Sequence, residues 1–241
     1  AKSAKKLNTK MNRNNMIKYS PSELDYAAKK CQRCFYLKKI NNIELNDFPP
    51  PVFSSFDVVQ QAYFKNYTTK DLTDQLPMGH FMKKDDLPGL IISKELHDLK
   101  GRSFILGGRP DIVIKFEEEG YGIIDFKTTN ISPTKSDNYK FQLEAYAQIF
   151  TYPGSTKTKK TPELNPITHM GILQFYPTEI FDHHTEECEL KMKMSYSPLE
   201  RNIDEFYEHI TKLNDLLYSE QLPEFNSECN KCNFVENQNK I

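Results

Sequence analysis

No run of apolar residues here approaches the roughly 18 that a membrane-spanning helix needs. The first residues are polar and basic, with no apolar segment of the kind a secretory signal carries. Both absences point to a cytoplasmic setting, in a cell or a virus-infected one. No internal repeat is visible, and no RNP or KH pattern announces an RNA-binding module. Net charge is nearly absent as well: 32 Lys and Arg face 33 Asp and Glu, for a formal charge of -1. What remains is ample for a core. The 241 residues are 38% hydrophobic and 12% aromatic, which suits one α/β unit with decorations.

The charge is unevenly spread. Residues 1–40 hold eleven Lys or Arg against only Glu23 and Asp25. Such an end suits a phosphate backbone, and equally suits a solvated tail. Residues 1–15 show no apolar period and are expected to be a disordered basic leader, with Met11 or Met16 as an alternative start. Residues 16–241 are expected to form a single domain, with its core at about 104–195. Within it, Ser20 to Lys39 reads as one helix: Ser20 and Glu23 make a capping box, with Pro21 in the first turn. "DFPPP" predicts an extended connector, and a second helix is expected from Ser55 to Tyr67. Residues 68–103 show little beyond turns.

"DIVIKF" and "YGIIDF", joined by "EEEG", predict a β-hairpin. A helix over "NYKFQLEAYAQIF", two strands ("THMGILQFYP" and "ECELKMKMSY") and a long amphipathic helix follow. On the second strand Cys188, Leu190, Met192 and Met194 share a face, which reads Cys188 as core. The order predicts helices packed around a mixed sheet.

The hairpin carries charge where a buried strand should not. Asp111 opens its first strand; Asp125 and Lys127 close the second. Pairing brings the two acids together, and Asp125 and Lys127, two apart, share one face. Adjacent buried carboxylates repel unless a cation lies between them. Mg²⁺ or Mn²⁺ would take oxygens of Asp111 and Asp125, the backbone carbonyl of Phe126, and waters. Lys127 would orient a water or balance charge at a phosphorus under attack. On the next helix Gln142 and Tyr146, four apart, face the same way and would brace Lys127 or touch a phosphate. Glu144 is expected at the surface.

"RPD…DFK…QLEAYA" resembles the PD-(D/E)xK nuclease superfamily, and within it the RecB-like branch that includes CRISPR-associated four-cysteine exonucleases. Pro110 and Asp111, Asp125 and Lys127, and Gln142 and Tyr146 carry the likeness, over roughly residues 104–150. The opening helix with "CQRCFYL" is similar to the branch as well. The resemblance implies a restriction-endonuclease-like α/β fold, a mixed central sheet flanked by helices, and metal-dependent DNA hydrolysis. The branch's early G-x-x-x-H motif, whose His helps hold the metal, is missing. Asp57, with Gln61 one turn later, stands nearest to that role; the plainer reading is a helix N-terminal acid. His80 is a weaker candidate in an expected loop.

Cys31 and Cys34 form one C-x₂-C pair, and Cys229 and Cys232 another. Two such pairs in a cytosolic chain read as a four-thiolate metal site joining the termini. Zn²⁺ and [4Fe–4S] both accept four thiolates. The branch often holds an iron–sulfur cluster with one cysteine before the core and three after; the split here is two and two, yet the resemblance tilts the expectation slightly to the cluster.

The resemblance thus implies a Mg²⁺- or Mn²⁺-dependent phosphodiesterase acting on single-stranded DNA or duplex ends, expected to be an exonuclease in repair, recombination or CRISPR-type processing, with a helicase or recombination protein as the expected partner. Lys29, Lys30, Arg33, Lys38 and Lys39 would line the DNA path or sit as exposed helix charge. The competing reading is a non-catalytic DNA-binding or scaffold subunit.

Overall fold

The computed structural model describes residues 16–29, 31–43, 51–64, 66–83, 86–129 and 133–233; the basic leader expected at residues 1–15 lies outside them. Chain order is β1 (Ile17–Tyr19), α1 (Pro21–Lys29), α2 (Gln32–Asn41), α3 (Pro51–Phe64), β2 (Gly79–Phe81), β3 (Ile91–Ile92), β4 (Leu96–His97), β5 (Ser103–Gly108), β6 (Ile112–Phe116), β7 (Tyr121–Thr128), α4 (Lys140–Thr151), β8 (Ile167–His183), β9 (Cys188–Leu199) and α5 (Ile203–Tyr218). A 3₁₀ segment, Pro133–Tyr139, leads into α4. The strands form two mixed sheets. A small one has β5 between β1 and β3, with β4 also on β5; the larger runs β2-β6-β7-β8-β9. No helix among the described residues is long and apolar enough to cross a membrane.

The hairpin expected from "DIVIKF…YGIIDF" is β6 and β7, antiparallel with Ile112 opposite Ile124. Gly120, at φ +86°, closes its turn in a conformation that L side chains avoid. β7 then pairs parallel with β8, so the chain must cross over between them, and α4 makes that crossing. Every residue of α4 from Phe141 to Phe150 is buried. A helix enclosed on all sides needs apolar cover all round. α4 finds it from α1, α5 and both sheets.

Strand periodicity splits the large sheet into two faces. Val113, Ile123 and Ile172 join the main core under α4. Ile112, Ile114, Ile124, Phe126, Leu173 and Phe175 form a second core capped by Phe64 of α3. Asp111, Asp125 and Lys127 have the parity of the first face, so the charges lie on the α4 side.

Several expectations need correction. The helix expected over Ser20–Lys39 breaks at Cys31, whose backbone is extended (φ -164°, ψ 106°). Glu23 still reaches back to the Ser20 N–H at 2.8 Å, as the capping box requires. α3 starts at Pro51, inside the expected connector, and ends before Tyr67. The stretch that looked featureless holds β2, β3 and β4, too short for a periodic signal. His80 lies on β2 rather than in a loop, exposed and 3.3 Å from Glu117. β8 and β9 run well past the packed body, so Cys188 is exposed instead of buried. Glu144 is enclosed rather than at the surface, because Arg201 meets its carboxylate at 2.6 Å.

A polar network ties the small sheet to α5. Buried Asp98 accepts from Arg102 Nε (2.7 Å), Asn214 Nδ2 (2.8 Å) and the backbone N–H groups of Lys100 and Arg102. Tyr19 donates to Asn214 Oδ1 at 2.6 Å. Burial alone would raise the Asp98 pKa, yet these donors overcome it and hold the group below the usual carboxylate value. The contribution is therefore full above the unfolded-state pKa near 3.8 and is lost as pH falls through the lower folded value. Asp98→Ala should cost about 1–3 kcal/mol, since it leaves the buried Asn214 amide without an acceptor, while Arg102 keeps Asp215 at 2.9 Å. Urea unfolding at pH 7 measures the cost, and the variant's stability should depend less on pH below about 4.

Candidate active site

The site is assembled where β6 begins and β7 ends. Asp111 precedes β6, one step beyond the last ladder pair, and its Oδ2 accepts the Phe126 N–H at 2.8 Å. A side-chain carboxylate thus takes the place of a ladder carbonyl, which fixes it beside Asp125. Asp125 is 3% exposed. Lys127 makes an ion pair with Asp125 Oδ2, and its Nζ lies 5.0 Å from the Tyr139 ring centroid. Gln61 of α3 donates to Asp111 Oδ1 over a long 3.4 Å.

Electrostatics distinguish this cluster from ordinary surface charge. Burial, then the Asp125 charge, pushes the Asp111 carboxyl up to about 7. Burial likewise raises Asp125, against the opposing pull of Lys127. For Lys127, burial pulls the pKa down, but Asp125 and Asp111 outweigh it and the ammonium is held more firmly than usual. One ammonium therefore faces two desolvated carboxylates. A hard divalent cation suits that imbalance, with oxygen donors available from both acids.

The α4 residues support this cluster in a different way from that expected. Gln142 Nε2 donates to Asp125 Oδ1 at 2.6 Å, so it braces the acid rather than Lys127. Tyr146 OH donates to the Arg109 carbonyl at 2.8 Å and so pins the turn before Pro110 and Asp111. Gly108 makes that approach possible: a Cβ there would lie 3.1 Å from Tyr146 Cε1 and 2.7 Å from Pro21 Cδ. Asp25 of α1 accepts the Gln142 N–H at 2.7 Å and anchors this end of α4. Asp57 is exposed on α3, yet its charge reaches the pair and raises both pKa values. Asp25, Tyr139 and the Gln61 contact were not foreseen. Asp25 had a signal, as an acid on the buried side of a short helix; Tyr139 had none.

The expected basic path is partly absorbed by structure. Lys39 pairs with Glu23 at 2.8 Å, Lys38 lies 3.6 Å from the same carboxylate, and Arg33 Nη1 donates to the Pro223 carbonyl at 2.9 Å. The Lys29 and Lys30 side chains lie outside the description.

The cysteines do converge. Cys31 and Cys232 sulfurs are 3.4 Å apart, Cys34 lies 3.7 Å from both Cys229 and Cys232, and all four fall within 4.8 Å of one another. The break between α1 and α2 explains how: Cys31 caps α2, and Cys34 lies in its first turn. Cys229 likewise precedes a helical turn, with the Asn233 N–H on its carbonyl at 3.0 Å. Burial, then hydrogen bonds in which Cys34 donates to the other thiols, raises the Cys34 pKa.

This fold carries its acid–acid–lysine cluster on the hairpin. The chain belongs to the PD-(D/E)XK nuclease superfamily, whose family model matches residues 56–236. Among solved structures, one described as "Crystal structure of SSO0001" aligns over 92% of this chain and 85% of its own, with a TM-score of 0.46 and 15% identity. No curated protein matches the sequence.

Proposed function

We infer that the protein is a divalent-metal-dependent DNA nuclease. The observation that carries this reading is the convergence of Asp111, Asp125 and Lys127 on one sheet face, with two buried carboxylates to one ammonium. A bound Mg²⁺ or Mn²⁺ would polarise the phosphodiester and make water a better nucleophile. Asp111 and Asp125 would hold the cation, with the Phe126 carbonyl as a further oxygen donor; Asp57, exposed on α3, would act through its charge. Lys127 positions the attacking water and neutralises charge gathering on the phosphate. Gln142 holds Asp125 in one rotamer, and Tyr146 holds the turn that aims Asp111. Both act through the acids.

For the four thiols we infer zinc. A tetrahedral ion with Zn–S bonds of about 2.3 Å sets sulfurs about 3.8 Å apart. The separations of 3.4 and 3.7 Å support a single ion of that size. An iron–sulfur cube would hold its thiolates farther apart, with metals and sulfides between them. The two-and-two division of the cysteines agrees.

Digestion of labelled substrates tests the nuclease reading. Purified protein with Mn²⁺ is given single-stranded and duplex DNA, each with free or blocked ends, and RNA of the same sequence. Metal-dependent loss of DNA is expected, and protection by blocked ends would make the enzyme an exonuclease. Binding without cleavage under every metal tried would favour a DNA-binding subunit.

A further inference from the structure

A second amide stands beside the cluster and has no role so far. Gln174 lies on β8 directly opposite Lys127 of β7 in the parallel ladder. Residues opposed in this way share a face, so Gln174 has the face of Asp125 and Lys127 rather than that of Leu173 and Phe175. It is 4% exposed, and its Nε2 is buried with no acceptor. A buried amide donor is rarely left unmet, because it loses water and receives nothing in return. The next strand continues the row: Ser195 of β9 is opposite Gln174 and is exposed. Lys127, Gln174 and Ser195 therefore form a polar row across three strands, each about 4.8 Å from the next. The row begins at the acids and ends at solvent.

We propose that Gln174 binds the substrate: once the Pro133–Tyr139 segment packed on β8 and β9 yields to the DNA, its Nε2 donates to a nonbridging oxygen of the phosphodiester backbone beside the phosphate that Lys127 neutralises. The proposal rests on the nuclease reading. Two features favour a phosphate oxygen as acceptor. The donor is unmet in the free protein, and it is one strand spacing from the Lys127 side chain. A neutral donor there adds a charge-assisted hydrogen bond without adding to the positive charge. A lone glutamine inside the apolar run "GILQFYP" is also hard to explain by packing alone.

Gln174→Met tests the role, because methionine keeps length and volume but removes the donor. Wild type and variant are compared in Mn²⁺-dependent cleavage of an end-labelled oligonucleotide, and in thermal unfolding without metal or DNA. The variant should lose roughly 10- to 100-fold in kcat/KM while unfolding at the same temperature or higher. Activity within twofold of wild type would overturn the proposal. So would a clearly lower melting temperature or failure to fold, since the amide would then be satisfied within the protein. If wild type itself cuts nothing, the nuclease reading falls and this role falls with it.

Discussion

Lys127→Ala is expected to reduce metal-dependent DNA cleavage by at least about 10²-fold while leaving a folded protein. The charge on Lys127 exists because of its setting: two carboxylates outweigh the burial that would otherwise strip its proton. Removing it leaves Asp111 and Asp125 facing each other uncompensated. In the metal-free protein one carboxyl can then take up a proton, as Asp111 already tends to do with a pKa near 7. The fold therefore has a cheap response to the loss, whereas charge building on a phosphate has none. Circular dichroism and a melting curve should resemble wild type. Binding of DNA in Ca²⁺ should persist, with cleavage in Mn²⁺ lost. An arginine replacement should rescue poorly, since a planar fork does not reproduce a compact ammonium. A Lys127→Ala protein that cuts at the wild-type rate would remove the lysine from the mechanism.

The largest effect on stability is expected at the cysteines. Cys31 and Cys232 are 201 residues apart, so a shared ion closes a loop of most of the chain. Chain-entropy arguments for a link of that span give about 5 kcal/mol, comparable with the whole stability of many domains. The Arg33 bond to Pro223 holds the tail against α2 but cannot replace the ion. Cys229→Ser with Cys232→Ser, or treatment with a strong chelator, should lower the melting temperature by roughly 10–20 °C. The purified protein should be colourless and carry one zinc per chain by elemental analysis, and the double variant should carry none. Brown protein with iron and acid-labile sulfide would overturn the zinc assignment. An unchanged melting temperature on metal removal would overturn the stapling role.

How much of this was readable from the residues depended on whether the signal was local. The hairpin was, because β-branched runs joined by "EEEG" permit little else, and its ends located Asp111, Asp125 and Lys127 together. Gln142 and Tyr146 followed from helical spacing, though their targets did not. Which atom an amide reaches is set by the packing of α4 between the sheets. β2, β3 and β4 escaped notice because two or three residues carry no period and exist only through long-range pairing. Cys188 misled because alternation on β9 is real, yet the strand extends beyond the body that would bury one of its faces. Glu144 misled because its partner, Arg201, lies 57 residues on. The helix break at Cys31 was hidden by good helix formers on both sides. It serves the thiolate site rather than local propensity.

The central claim is that Asp111 and Asp125 stand together because a cation belongs between them. Crystals soaked in Mn²⁺ and measured at an energy where manganese scatters anomalously would test it most directly. A peak within about 2.0–2.3 Å of a carboxylate oxygen from each acid, with Lys127 beside it, is the predicted result. A peak elsewhere, or none at saturating Mn²⁺ with both carboxylates still in contact, would contradict the account.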